Sequence, residues 1–400
     1  MARQTAPVSD WSQDFDVLDA GYIEDPFTVW DELRQTCPIA HSDRRGSNWL
    51  PTRYDDVTAM AHDIKHFSSL EVGVIRGEEV EEEPLLAYGL PPISVDPPIH
   101  TRTRRLLLPW FSHRSVEGYE AMTRDLCTTL IDAFIDSGHA DAAENYAQQI
   151  PVRVIGRMLG VSGDLADSFT GWVRDLLEFA DDKERNARGV EGLYTYFVGE
   201  IAQRRENPGT DLLSELLHVE MDGAKIDENV VLGMAALVLI AGVDTTWSSI
   251  GSSLWHLATH EEDRKRLVAE PELMSTAVEE LLRAYAPVTM ARLVTSDVDY
   301  KGCPMKAGDK LLMNFPAANR DPEVFADADK VILDRQHNRH VAFGSGIHRC
   351  AGSNLARMEL TVALEEWLKR IPEFRLAEGA ELSWAGGQVR GPRVLPVVFP

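Results

Sequence analysis

Residues 343–352, with the sequence FGSGIHRCAG, carry the most information about the fold. Gly344 and Gly346 permit the positive φ angles of a tight loop, and Gly352 lets the backbone come close to a flat group. A helix predicted to begin near Cys350 directs amide N–H groups and its positive dipole end toward the sulfur. We expect these donors to lower the pKa of the thiol and to present the thiolate, which is the form that binds metal.

The other cysteines, Cys37, Cys127 and Cys303, lie far from Cys350 along the chain, and no C-x-x-C pair occurs. This usage argues against a four-ligand zinc site and against a disulfide framework, and it fits a reducing cytoplasm. A single thiolate can instead be the axial ligand of a heme. The alternative is a buried free cysteine that follows a glycine turn.

A long apolar helix is predicted before this loop, from a capping residue at about Asp227 to Thr259. At 1.5 Å per residue it is roughly 45–50 Å long. Within it, Asp244, Thr245 and Thr246 interrupt the apolar run. A buried carboxylate there costs free energy unless it is paired or useful. The alternative is that the two threonines only bond to carbonyls one turn back and bend the helix.

The remaining pattern predicts one mainly α domain over residues 1–400, because no Ser-, Pro- or Gly-rich linker divides the chain. Helical periodicity covers about 96–287 and 351–371, and short alternating segments predict a β-rich part. That β-rich part covers mainly about 20–95, 288–315 and 374–400.

Composition excludes two classes of partner. The formal charge of −24 argues against nucleic-acid binding, which needs a dominant basic surface. The most apolar run, residues 230–243, is shorter than the roughly 18 residues that a membrane span requires. We therefore expect a cytoplasmic protein with no membrane partner.

The Asp244-Thr245 pair, a Glu280-x-x-Arg283 element and the cysteine loop follow one another in the order found in cytochromes P-450. The chain resembles this family over about residues 96–359. The resemblance implies the cytochrome P-450 fold, a large helical core around the heme with a small β-rich part. It also implies a heme-thiolate monooxygenase that inserts one oxygen atom from O₂ into a small or medium, largely apolar substrate.

The resemblance further assigns roles to individual residues. Cys350 binds the iron of heme b, Gly242 leaves room for dioxygen, and Asp244 and Thr245 relay protons. Glu280 and Arg283 form a structural pair that locks to Arg335. The implied cofactor-binding positions also include His100, Arg104, Arg292, Phe343, His348 and Gly352. The implied substrate-contacting positions are Leu86, Leu237, Ala241, Val288, Met290, Ala291 and Val389.

No G-x-G-x-x-G fingerprint for a flavin or nicotinamide is apparent, so electrons from NAD(P)H are expected to arrive through an external ferredoxin and its reductase. We expect a monomer that docks the ferredoxin on a basic patch formed by Arg102, Arg105, Arg339, Arg349 and Arg357. Two alternatives remain open: a heme peroxygenase driven by peroxide, and a non-catalytic heme protein that senses a gas or hydrophobic ligand.

Overall fold

The structure, a computed structural model, describes residues 6–75, 89–221 and 223–400 and is mainly α-helical. The α-helices are α1 Ala20–Glu24, α2 Pro26–Thr36, α3 Tyr54–His62, α4 Ile99–Leu107, α5 His113–Asp132, α6 Gln149–Leu159, α7 Ala166–Leu177, α8 Lys183–Glu206, α9 Leu212–His218, α10 Glu228–Thr259, α11 Glu261–Ala269, α12 Met274–Ala284, α13 Phe315–Ala318 and α14 Ser353–Arg370. The predicted mainly α class is confirmed.

The strands are short. They are β1 Ile39–Ser42, β2 Asn48–Pro51, β3 Phe67–Ser68, β4 His139–Asp141, β5 Glu220–Met221, β6 Ala224–Lys225, β7 Met290–Val294, β8 Val298–Tyr300, β9 Cys303–Met305, β10 Lys310–Met313, β11 Arg375–Leu376, β12 Ser383–Ala385, β13 Gly391–Val394 and β14 Pro396–Val398. The largest sheet has the order β1-β2-β10-β7-β3 and joins the start of the chain to the region after α12.

Several elements depart from the predicted division into β-rich and helical segments. Strands β4, β5 and β6 lie inside the segment predicted as helical; β5 and β6 pair with each other, and β4 pairs with β14 near the end of the chain. Helices α1 and α2 lie inside the segment predicted as β-rich, whereas α3 over Tyr54–His62 is the helix that the sequence predicts there. Strands of two or three residues carry too little alternation to be recognised, and partners far apart in sequence decide their pairing.

Helix α10 begins and ends where the sequence predicts. The side chain of Asp227 accepts a hydrogen bond from the Asn229 N–H at 2.8 Å, which caps the helix start. By length and composition α10 could span a membrane, but 78% of its most apolar window is buried inside the protein. That burial is typical of the central helix of a helical core.

Strand β13 lies directly against α10. A Cβ atom added to Gly391 would lie 2.3 Å from the Cβ of Ser248, and one added to Gly251 would lie 2.8 Å from Pro392 Cγ. The glycines on both elements therefore allow the strand backbone to approach the helix closely. This approach brings Arg393 of β13 to the middle of α10.

Candidate functional site

The cysteine loop forms a tight turn that precedes α14. Gly344 and Gly346 each have a φ of +71°, as the sequence predicts. A Cβ atom at Gly346 would lie 2.4 Å from the carbonyl oxygen of Ala61 in α3, so glycine is required there. The Cys350 N–H donates to the Phe343 carbonyl at 2.8 Å, which closes the loop and leaves Cys350 two residues before the first turn of α14.

The sequence predicts a lowered pKa for the Cys350 thiol, and this prediction is wrong, because the pKa is raised overall. Burial raises the pKa of the Cys350 thiol above the usual value, and the lowering influences do not outweigh it. Those influences are the backbone N–H of Gly352 and the charges of Arg104, Arg349 and Arg357. Part of Cys350 is nevertheless accessible. A bound cation would supply the remaining stabilisation of the thiolate.

Basic side chains from separate elements meet beside this loop. The imidazole rings of His100 in α4 and His348 in the loop lie 4.3 Å apart between centroids. His348 Nε2 lies 2.8 Å from Ser69 Oγ. Arg292 of β7 is buried and donates to the Ala291 carbonyl at 2.7 Å. His100, His348 and Arg292, three of the predicted cofactor-binding positions, thus lie near one another. The fourth basic position, Arg104, joins them.

Arg104 connects α4 to the loop, because its guanidinium donates to the carbonyl of Arg349. The charges of Arg104 and Arg292 both lower the pKa of His100 and of His348. These mutual effects indicate that all four basic groups occupy one region.

Among the described residues no carboxylate forms an ion pair with the basic cluster, although the charge of Asp96 acts on Arg292 and His100. Burial lowers the pKa of Arg292 to about 10, and burial together with the neighbouring cations lowers the pKa of His348 to about 3. Both ring nitrogens of His100 lack a hydrogen-bond partner of normal geometry, although the Ile347 carbonyl lies near enough to raise its pKa. The nearby carboxylate of Asp96 already accepts from Ser68 and from the Ser69 N–H.

Buried cations that lack anionic partners are costly. A flat cofactor that carries two carboxylates would supply the missing partners, and the loop offers a thiol beside them. The residues present therefore fit a heme, with its propionates on the basic cluster and its iron on Cys350.

Helix α10 packs against α14, the helix that follows the cysteine loop, and it has an accessible position near its middle. Ala241 is exposed although most of α10 around it is buried, and Leu237 lies one helical turn before it on the same face. Thr245 Oγ1 donates to the Ala241 carbonyl at 2.7 Å. A threonine that only bonds to the carbonyl one turn back would form the same hydrogen bond. The bond therefore does not by itself identify Thr245 as part of a proton relay.

The prediction that Gly242 leaves room for dioxygen is wrong about the direction of the missing side chain. A Cβ atom at Gly242 would lie 2.6 Å from both Cδ1 and Cγ1 of Ile155 in α6. Glycine is therefore needed because α6 packs against α10 at this point, on a side of α10 different from that of Ala241.

Asp244 is fully buried and is held by an arginine that the sequence analysis missed. Arg393 Nη2 donates to Asp244 Oδ1 at 2.6 Å, and Nη1 donates to Ser248 Oγ at 3.0 Å. Arg393 also contacts the carboxylate of Glu178, which Arg174 binds at 3.0 Å. Burial raises the pKa of Asp244 to about 6, although the charge of Arg393 opposes the rise. Asp244 Oδ2 has no partner within the described part of the chain.

The predicted substrate positions do not all lie together. Val288 and Val389 are paired in a β-bridge, and Met290 is half-buried on the strand face that carries Arg292. The prediction for Ala291 is wrong: neighbouring strand residues point to opposite faces, and Ala291 is fully buried in a separate apolar cluster with Phe15 and Leu312. Leu86 lies outside the described residues.

Glu280 and Arg283 form a buried network behind the cysteine loop. Arg283 donates twice to Glu280 at 2.8 Å. Arg335 Nε, on the segment before the loop, lies 3.0 and 2.9 Å from the two carboxylate oxygens of Glu280. The structure thus contains the contact with Arg335 that the sequence analysis expected.

Comparisons with known proteins agree with this geometry. The sequence profile of the family described as cytochrome P450 matches residues 157–377. The mycinamicin IV hydroxylase/epoxidase of Micromonospora griseorubida is 36% identical over 92% of this chain and 94% of its own length. The steroid C26-monooxygenase of Mycolicibacterium smegmatis is 35% identical over 77% and 79%. The solved structure of the bacillaene polyketide synthase cytochrome P450 PksS of Bacillus subtilis is 30% identical, covers 96% of this chain and 99% of its own, and superposes with a TM-score of 0.87.

Proposed function

The chain belongs to the cytochrome P450 family and is a P450 monooxygenase, and from that premise we propose that Cys350 binds the iron of heme b while NAD(P)H supplies electrons through a ferredoxin. One observation carries the assignment of the cofactor site. The basic cluster of His100, Arg104, Arg292 and His348 lies beside the cysteine loop, two of its members are buried, and none of them forms an ion pair within the part of the chain that the structure describes. When bound, the heme supplies the activation of O₂ and the transfer of one oxygen atom.

Asp244 and Thr245 supply protons in this proposal. The free Oδ2 atom of Asp244 is available to a water molecule, and Thr245 lies on the next position of the same helix. The pKa of Asp244, about 6, is suited to a group that gives up and regains a proton near neutral pH. Arg393 keeps the carboxyl group in place through Oδ1 and leaves Oδ2 free.

The substrate is a small or medium, largely apolar ring compound of polyketide or steroid type. The proposed contact residues Leu237, Ala241, Val288 and Val389 have apolar side chains, which suit such a molecule. The relatives named above include a mycinamicin hydroxylase, a steroid monooxygenase and a polyketide cytochrome, which supports this class.

An acidic ferredoxin binds near the cysteine loop in this proposal. Arg102, Arg105, Arg339 and Arg349 are exposed. Arg104 of α4 donates a hydrogen bond to the carbonyl of Arg349 in the loop. The arginines of α4 and Arg349 therefore lie on neighbouring segments. Positive charge there would steer an acidic partner toward the heme. The scattered cysteines support a cytoplasmic location.

The function is tested by driving the heme-loaded protein with either a reduced ferredoxin or hydrogen peroxide. Candidate macrolides and steroids are first screened for a shift in the Soret band. We expect hydroxylated product with the ferredoxin system, at a rate well above that with peroxide. Faster turnover with peroxide would indicate the peroxygenase, and ligand binding with no product under either condition would indicate the sensor.

We expect Asp244→Asn to slow product formation by roughly 10²–10⁴-fold, which is the usual contribution of a positioned proton donor. Oxygen consumption should fall less than product formation, because reduced oxygen species then escape unused. Since the donor acts in its protonated form, the wild-type rate should fall as the pH rises through about 6. Both effects are checked by measuring the rate and the product formed per O₂ consumed across about pH 5–8, the range in which this carboxyl group titrates. An unchanged ratio and the same pH inflection in the variant would contradict the role.

A further inference from the structure

Behind the cysteine loop, Arg357 of α14 and Glu279 of α12 form a two-point ion pair. Arg357 Nε lies 2.5 Å from Glu279 Oε1, and Nη2 lies 2.8 Å from Oε2. Both side chains are about one third exposed. Paired in this way, Arg357 is a poor docking residue, because its planar guanidinium is already committed to a carboxylate.

A histidine completes the pair. His340 Nδ1 accepts the Ala342 N–H at 3.2 Å, and Nε2 lies 3.0 Å from Glu279 Oε2. Because Nδ1 is an acceptor, Nε2 carries a proton and donates it to Glu279 Oε2. Burial raises the pKa of Glu279, but its bonds to Arg357 and His340 outweigh this and hold the pKa at about 2. Glu279 is therefore an anion and Arg357 its matching cation.

The pair also reaches the cysteine loop. The guanidinium carbon of Arg357 lies 4.4 Å from the centroid of the Phe343 ring, which is within cation–π distance. The Phe343 carbonyl accepts the Cys350 N–H. Arg357 is also one of the charges that act on the Cys350 sulfur. The ion pair thus contacts Phe343, the first residue of the loop, and acts on the sulfur of Cys350.

We infer that Glu279 and Arg357 set the reduction potential of the heme, with Arg357 favouring the ferrous state and Glu279 limiting that effect. The inference rests on the proposed function, in which Cys350 ligates the iron. Reduction adds one negative charge to the heme, so a nearby cation stabilises the reduced form and a nearby anion opposes it. Glu279 and Arg357 are positioning residues in this role, because neither is a ligand of the iron.

The test is an optical redox titration of the heme-loaded protein. Glu279→Gln keeps the shape of the side chain but removes the charge that neutralises Arg357. We expect the ferrous-to-ferric ratio at a fixed potential to rise roughly tenfold, which is about 59 mV for a one-electron couple. Arg357→Gln should lower the ratio, and the double variant should return it close to the wild-type value. Equal potentials in all four proteins would overturn the inference.

Arg357→Lys separates charge from stacking and also covers the case in which Glu279→Gln does not fold. Lysine keeps the charge, so the potential should stay near the wild-type value. A shift as large as that of Arg357→Gln would show that the planar contact with Phe343 matters instead, and the inference would fail. Glu261→Gln is the matched control, because Glu261 forms an exposed pair with Lys265 at 2.6 Å on α11.

The carbon monoxide difference spectrum of the wild-type protein keeps the two failures distinct. If the absorbance characteristic of a thiolate ligand is absent, the proposed function fails. If that absorbance is present and the potentials do not differ among the variants, only the inference about Glu279 and Arg357 fails.

Discussion

Replacing Cys350 with alanine is expected to abolish both the thiolate absorbance of the carbon monoxide complex and all product formation. The chain offers no second thiol in the loop, and the other cysteines lie on distant segments. An imidazole or water ligand in place of the sulfur donates less electron density, so cleavage of the O–O bond is no longer favoured. The fold should survive, because the Cys350 side chain is partly accessible and fills no core position.

Cys303→Ala is the matched control for this change. Cys303 is half-buried in strand β9 and its pKa is raised chiefly by burial, so it resembles Cys350 in chemistry without being part of the loop. The control should keep the absorbance and the activity. Retention of the thiolate absorbance by Cys350→Ala would place the iron ligand elsewhere and would contradict the proposed function.

The features that the sequence predicts best depend on local interactions. The positive φ angles at Gly344 and Gly346 are permitted by the residue type, which is what the sequence indicates. The start of α10 follows from Asp227, whose side chain bonds to the N–H two residues later. Glu280 and Arg283 lie three positions apart, a spacing at which helical side chains meet. In each case the chain needs only its near neighbours to fix the structure.

The features that the sequence does not predict depend on distant parts of the chain. Arg393 reaches Asp244 across 149 residues only because β13 lies against α10, and Arg357 reaches Glu279 across 78 residues. No local pattern links either pair. The direction of the missing side chain at Gly242 depends on how α6 packs.

The same limit explains the error in the thiol pKa. The N–H of Gly352 and the nearby arginine charges lower the pKa of Cys350, as the local sequence indicates. The larger, opposite effect is burial, which depends on the whole fold. A lowered pKa cannot be read from the loop alone, because the loop does not specify how much protein surrounds it.

Replacing Arg283 with methionine is expected to unfold the protein or to leave it aggregated. Arg283 is fully buried and donates to the carbonyls of Asn319, Ala328 and Lys330 at 2.9, 2.9 and 2.6 Å, in addition to its two bonds to Glu280. Loss of one partner of a buried ion pair costs roughly 3–5 kcal/mol, because the other charge stays buried without compensation. Total stability is typically about 5–15 kcal/mol, so the loss approaches the whole margin.

Lysine should not rescue the fold, since it keeps the charge but lacks the planar fork that reaches several acceptors at once. Arg266→Met is the matched control. Arg266 pairs with Asp334 on the segment before the cysteine loop at 2.7 Å, but it is 37% exposed, and we expect a cost of about 0–1 kcal/mol. Soluble yield and thermal unfolding followed by circular dichroism compare the variants. If the free energy of unfolding of Arg283→Met lies within about 1 kcal/mol of that of the control, the buried network of Glu280, Arg283 and Arg335 contributes little to stability. The prediction would then be wrong.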